Sequence, residues 1–398
     1  MRRRPQEPDR KAIQFEAPLQ RSEAKLAIVL SGGGSRAAYQ AGALRALVPY
    51  FERHPKNLSI VIGSSIGAIN GLIFSACLKQ GYSESVSQLE QLWSMRTFKN
   101  TFAGSPSSAF LRAIRMAVLQ YMSPGPKPTS DAIFDPTPLM TQVDSVITEA
   151  GGLAPNERHP NLEAVAVMTT LEGTERKPLL FLSSHKELAQ DMLAGASFQV
   201  CAVETLTAKH GFASAALPSV LPPVEIDTQL GKLRLVDGGI SQNVPVDPAA
   251  RLGAERVIIC DISGRAFWLD QYNHAHDSRP DWEVPAEHST FCVRPPETFV
   301  IRNRSPFGPI LKHAVARSTG RFIEAVGPTW PVFKLLKNRI GEDLAYEVMS
   351  YVALDPDYLI GLMEAGYSYT KHLLKSRTQI EFQKNQSFEQ IVEEQLAS

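Results

Sequence analysis

The stretch Leu58-Ser-Ile-Val-Ile-Gly-Ser-Ser-Ile-Gly-Ala-Ile-Asn-Gly-Leu-Ile73 decides how this chain is read. Its first five residues are apolar and β-branched around one serine, the pattern of a buried strand. Gly63-Ser-Ser-Ile-Gly67 interrupts that run with G-x-S-x-G, and from Ala68 the residues are small and apolar, as in a packed helix. Strand, sharp turn and helix in that order predict a nucleophile elbow with Ser65 at its apex and Ser64 as the neighbouring choice. Gly63 and Gly67 fit because a side chain at either place would block the approach of the two backbone arms. A helix starting after Ser65 would aim its first amides at developing negative charge. Leu58 to Leu78 carries no charged residue and is long enough to suggest a membrane span, but its serines, Asn70 and three glycines suit strand, turn and helix better.

Upstream, Leu26-Ala-Ile-Val-Leu30 is a second apolar run that stops at Ser31-Gly-Gly-Gly-Ser-Arg-Ala37, and Tyr39 to Phe51 resumes with apolar residues at helical spacing. Strand, loop, helix, strand predicts the parallel opening of an α/β fold. The loop allows two chemistries. Gly32, Gly34 and Ala37 match the spacing of a dinucleotide-binding fingerprint, which needs an acidic residue after the second strand to hold a ribose. No Asp or Glu occurs from Lys56 to Lys79, which counts against a dinucleotide-binding oxidoreductase. The amides of Gly32, Gly33 and Gly34 are then better read as an oxyanion hole beside Ser65. Arg36 is a candidate contact for that anion or for a lipid phosphate, set against an ordinary salt-bridged arginine.

A nucleophilic serine needs a base, and Val236-Asp-Gly-Gly239 supplies a carboxylate at the end of the apolar run Leu233–Val236. Gly238 and Gly239 permit close approach to Asp237, although Asp-Gly is also a common turn. The histidines give no comparable signal: His54, His159, His185 and His210 are isolated, and His274, His276 and His288 fall in a polar stretch. An α/β-hydrolase in which one of the later histidines serves as base stays open as an alternative.

Taken in order, Gly32-Gly-Gly-Ser-Arg-Ala37, Gly63-Ser-Ser-Ile-Gly67 and Asp237-Gly-Gly239, with Ala213-Ser-Ala-Ala-Leu-Pro218 ahead of Pro222-Pro223, resemble the patatin-like phospholipases. These lipid acyl hydrolases share their catalytic arrangement with cytosolic phospholipase A2. The resemblance covers about residues 25 to 262 and departs at Ala37, where the family usually has glycine. It implies a three-layer α/β/α fold with a central, mainly parallel sheet. It also implies a catalytic dyad of Ser65 and Asp237 without histidine, an oxyanion hole that extends to the amide of Ser35, and no metal or cofactor. A lipid-binding protein without turnover is the remaining alternative.

Around this domain we expect a disordered arm over 1–24, a helical insertion over about 82–130, a C-terminal extension of loop and helices over 263–375, and a polar tail over 376–398. Further strands are expected at Leu162–Thr169, Leu179–Ser183 and Arg256–Cys260, and helix at Ala213–Leu217. With 41 basic and 41 acidic residues, net charge offers no argument for nucleic acid. Cys77, Cys201, Cys260 and Cys292 have neither metal nor disulfide spacing, which favours a reducing, cytoplasmic setting. The N-terminus has no apolar stretch of a signal peptide. Between 302 and 340, however, eight basic residues (Arg302, Arg304, Lys312, Arg317, Arg321, Lys334, Lys337 and Arg339) face only Glu324. If Ile310 to Val326 is one helix, it is basic and amphipathic, suited to peripheral contact with an anionic membrane. Lipid identity and oligomeric state are not legible.

Overall fold

The computed structural model describes residues 24–383 except 105–131, 174, 187–192, 194, 230, 264–295, 303–304 and 317. The expected N-terminal arm to residue 23, residues 105–130 of the expected helical insertion, most of the expected tail, and His274, His276 and His288 lie outside the described residues.

β1 (Leu26–Leu30) leads through the glycine-rich loop and a short 3-10 turn, Gly34–Ala37, into α1 (Ala38–Arg53). β2 (Leu58–Ser64) and α2 (Ile66–Cys77) follow, so the uncharged stretch is strand, turn and helix. α3 (Tyr82–Ser94), α4 (Phe98–Thr101) and α5 (Thr137–Glu149) precede β3 (Ala164–Leu171) and β4 (Pro178–Ser184). Then come β5 (Gln199–Ala202), α6 (Ala208–Ser214), β6 (Val224–Thr228), β7 (Gly231–Val236), α7 (Val246–Arg251) and β8 (Arg256–Asp261).

The sheet runs β5-β4-β3-β2-β1-β8, with β9 (Glu297–Arg302) beyond β8 and the β6–β7 hairpin attached to β3. β1 pairs in parallel on both sides, which is why it is apolar throughout rather than alternating. Ile28, Leu30 and Val61 face a large core built with α1, α2 and α3, while Ala27, Val29, Ile60 and Ile62 face a smaller one with Val246 and Ala249 of α7. Helices on both faces make the three layers.

Three features depart from the sequence-based expectation. The helix expected at Ala213–Leu217 is α6, which starts at a Thr207 capping box and ends at Ser214, leaving Ala215–Leu217 in the turn before Pro218. The region beyond 262 contributes β9 to the sheet. And Ile310–Val326 is two helices, α8 (Gly308–Val315) and α9 (Thr319–Val326), divided where extended Ser318 accepts the Arg321 amide as the α9 N-cap.

After α9 come α10 (Trp330–Ile340), α11 (Glu342–Met349) and α12 (Pro356–Leu373). α12 lies directly on α1. A Cβ at Gly42 would stand 1.8 Å from the Met363 carbonyl oxygen, and one at Gly366 would stand 2.1 Å from that of Tyr39, so each helix has a glycine at the crossing. Much of the basic excess is also answered from a distance. Arg302 pairs with Asp261, Lys312 with Glu342 and Asp343, Arg321 with Asp355 and Asp357, and Lys337 with Glu342.

Candidate active site

Ser65 sits between β2 and α2 with φ of 53°, a left-handed conformation unusual for a residue with a side chain. Strain of this kind costs on the order of 1–3 kcal/mol and persists where the surroundings fix it. They do so here. A Cβ on Gly63 would lie 2.4 Å from the Gly67 carbonyl oxygen, and one on Gly67 would lie 2.4 Å from that of Leu30. The Ser65 amide donates to Ser214 Oγ at 2.7 Å, and Ser214 Oγ donates to the Met168 carbonyl at 2.5 Å. Ser64, the other serine, is fully buried and donates to the Gln242 carbonyl at 2.9 Å.

Ser65 Oγ donates to Asp237 Oδ2 at 2.6 Å. Asp237 stands at the end of β7, and its other oxygen, Oδ1, accepts the Gly239 amide at 2.7 Å. The Asp237 backbone is held on both sides, its amide donating to the Ala216 carbonyl at 2.9 Å and its carbonyl accepting from Thr170 Oγ1 at 2.8 Å. Gly238 is packed so that a Cβ would meet the Met168 carbonyl oxygen at 2.1 Å. Burial pushes the Asp237 carboxyl up to about 6, with the Ser65 and Gly239 hydrogen bonds pulling the other way. At neutral pH this group is therefore charged yet close to its titration range, which suits a general base.

The glycine-rich loop lies against this pair: a Cβ on Gly32 would be 3.3 Å from Ser65 Oγ. Of the four amides expected to face an oxyanion, two are engaged within the protein. Gly32 N–H donates to Asn243 Oδ1 at 3.1 Å, and Ser35 N–H donates to the Tyr351 carbonyl at 2.9 Å. Among the described residues the Gly33 and Gly34 amides have no partner. Arg36 is not an anion contact in this structure: it is fully buried and its Nη2 meets Glu347 Oε1 at 2.6 Å, so the salt-bridged alternative is the one found.

Several supporting residues carry no sequence signal of their own. Asn243 clamps Gly32 from the loop that follows Asp237; Ser214 holds Ser65 from α6. Beneath the loop runs a buried polar chain. Trp93 Nε1 donates to Asn70 Oδ1 at 2.9 Å, Asn70 Nδ2 donates to Gln40 Oε1 at 2.9 Å, and Gln40 Nε2 donates to the Ser31 carbonyl at 2.9 Å. No described histidine is bonded to Ser65 or Asp237. His210 caps Thr207, with the Thr207 amide donating to its Nδ1 at 3.1 Å, and burial lowers its imidazole to about 4. Among the described residues no cluster of three His, Cys, Asp or Glu side chains is placed to hold a metal ion, and no helix is long and apolar enough to cross a membrane.

A sequence model described as patatin-like phospholipase matches residues 28–250, more than half of the 398 residues. The chain therefore belongs to the patatin-like phospholipase family, and lipid acyl hydrolysis is its class of activity. No curated protein sequence matches it. Among solved structures it is similar to VipD from Legionella pneumophila, at 13% identity over 90% of this chain and 94% of that one, with a TM-score of 0.32. It is also similar to human GIVD cytosolic phospholipase A2, at 11% identity over 89% of this chain and 64% of that one, with a TM-score of 0.34. The family assignment stands on the sequence match.

Proposed function

We propose that the chain is a phospholipase A-type acyl hydrolase working through a Ser65–Asp237 dyad. The observation that carries this is the 2.6 Å hydrogen bond from an elbow serine to a buried carboxylate. Asp237 takes the Ser65 proton as Oγ adds to the ester carbonyl carbon. The carbonyl electron pair moves to oxygen, where the Gly33 and Gly34 amides stabilise it; Gly32 and Ser35 hold those amides in place rather than donating themselves. Collapse of the tetrahedral intermediate expels the alcohol or lysolipid, which takes up the proton from Asp237. Water then attacks the acyl-serine with the same carboxylate as base.

The test is hydrolysis of phospholipid vesicles, followed by mass spectrometry of released fatty acid and lysophospholipid. Parent enzyme should release both, whereas Ser65→Ala and Asp237→Asn should each lose about a thousandfold or more, because attack and proton removal act as one unit. Retained turnover in Asp237→Asn would point to a histidine base instead. Acyl-chain binding with no product in the parent would favour a lipid carrier.

We further propose peripheral contact of the 302–340 segment with anionic membrane, centred on α10. Its support is an exposed apolar set, Trp330, Val332 and Leu335, beside Lys334 and Arg339, which among the described residues have no carboxylate partner. Apolar side chains with flanking cations suit the lipid interface, where each cation contributes on the order of 1 kcal/mol.

A further inference from the structure

The glycine-rich loop is fastened from outside the region that the family match covers. Ser35 Oγ donates to the Ser350 carbonyl at 2.9 Å, in addition to the bond from its amide to the Tyr351 carbonyl. Arg36 Nε donates to Ser350 Oγ at 2.8 Å, and Arg36 Nη2 donates to both the carbonyl and a carboxylate oxygen of Glu347, at 2.9 and 2.6 Å. Glu347 is itself held, its Oε2 accepting the Gly308 amide at 2.5 Å. The Arg36 guanidinium lies over the Tyr351 ring, 3.6 Å from its centroid. Gly34 adopts φ of 60°, and a Cβ there would stand 2.1 Å from the Tyr351 carbonyl oxygen. The backbone of 350–351 is thus packed directly behind the amides proposed to stabilise the oxyanion.

We infer that the Glu347–Tyr351 segment is the back wall of the oxyanion hole, and that Arg36, Glu347 and Ser350 are positioning residues for the Gly33 and Gly34 amides. Three consecutive glycines have wide conformational freedom and would not hold two amides in one direction unaided. Oxyanion stabilisation is effective only when its donors are already oriented. The arrangement is also poorly suited to stability alone: a buried ion pair is often replaceable by apolar residues without loss, and here Arg36 Nη1 is buried with no hydrogen-bond partner among the described residues. What the clamp supplies is a fixed direction for the loop, delivered by helices far along the chain. Access of substrate to a formed hole then depends on the C-terminal segment being docked. This inference rests on Gly33 and Gly34 being the oxyanion donors.

The experiment compares parent, Glu347→Gln, Ser350→Ala, Arg36→Ala and Arg36→Lys in the full chain. It measures kcat and KM on p-nitrophenyl butyrate and the rate at which a fluorophosphonate labels Ser65, all per folded molecule from thermal melts. Glu347→Gln keeps the shape and the Gly308 contact, and Ser350→Ala is the milder change should Glu347→Gln fold poorly. Misdirected oxyanion donors should lower kcat and the labelling rate together by about tenfold or more, with KM within about twofold, since the donors act on the transition state. Arg36→Lys should recover part of the loss seen in Arg36→Ala. A lowered melting temperature with unchanged kcat and labelling would overturn the inference, leaving the clamp as a strut between helices. If Ser65→Ala or Asp237→Asn keeps full activity, the dyad itself fails, a result separable from any in this series.

Discussion

The elbow around Ser65 and the helices beyond residue 302 are built on different logic. At the elbow the defining residues are local: Gly63, Ser65 and Gly67 lie within five residues, the strain at Ser65 and the Gly63–Gly67 contact follow from their order, and Gly67 also meets the adjacent strand at Leu30. In the C-terminal helices three of the charges that look unopposed along the sequence, Lys312, Arg321 and Lys337, are answered by Asp355, Asp357, Glu342 and Asp343 from later elements. Steric necessity is written in neighbouring residues, whereas electrostatic balance depends on which distant side chains the fold brings together.

The sharpest way to break the contrast is to alter the elbow. Gly67→Ala places a Cβ 2.4 Å from the Leu30 carbonyl oxygen, backbone that cannot turn aside. It should cost about 3 kcal/mol or more and abolish ester hydrolysis, read by thermal melt and by p-nitrophenyl butyrate turnover. Near-parent stability would mean that the elbow is far less tight than its glycines indicate.

A second test concerns the charge at the dyad. Because the folded Asp237 carboxyl lies at about 6 against 3.8 in the unfolded chain, the folded state holds its proton to higher pH. Stability is therefore lost as pH rises from about 4 through about 6 and is flat above, a difference on the order of 3 kcal/mol. Asp237→Asn should melt higher than parent at pH 8, and the advantage should vanish toward pH 4. An unchanged difference across that range would show that burial of the carboxylate costs nothing.

Asn243→Ala probes the supporting residues. Gly32 loses its side-chain acceptor, and kcat should fall by about tenfold with the fold intact, as for a displaced oxyanion donor. Unchanged kcat would place the clamp outside the catalytic geometry.

The smallest effect is expected at the surface. Lys334→Gln with Arg339→Gln should leave the melting temperature nearly unchanged and weaken sedimentation with anionic vesicles in a salt-sensitive way. Arg321→Gln, which breaks pairs to Asp355 and Asp357, should do the reverse, lowering the melting temperature by a few degrees while vesicle binding holds. If the Lys334→Gln, Arg339→Gln double variant binds vesicles as the parent does, α10 has no part in reaching lipid.

The parts of the fold legible in advance were those with a steric or periodic signature. Leu26–Leu30 and Leu58–Ile62 are strands because two-sided burial demands unbroken apolar residues, and the family match bears out what the three glycine-bearing blocks suggested. Ser65 and Asp237, separated by 172 positions, were singled out from their local settings, and the structure brings their side chains into contact. Asn243 and Ser214 were not, since a lone polar residue in a loop or small-residue helix has no periodicity to mark it. The two readings of Arg36 could not be separated in the sequence because its partners, Glu347 and Ser350, lie more than three hundred residues away. β9 was missed because Glu297–Arg302 mixes charged ends with a short apolar middle at a sheet edge.

Fluorophosphonate labelling followed from pH 5 to pH 8 by intact-protein and peptide mass spectrometry tests the dyad most directly. The parent should take up one phosphonyl group on Ser65, at a rate that rises with pH through about 6 as Asp237 loses its proton; the Asp237→Asn variant should label far more slowly and without that rise. Labelling at another serine, or a rate that Asp237→Asn leaves unchanged, would contradict the account.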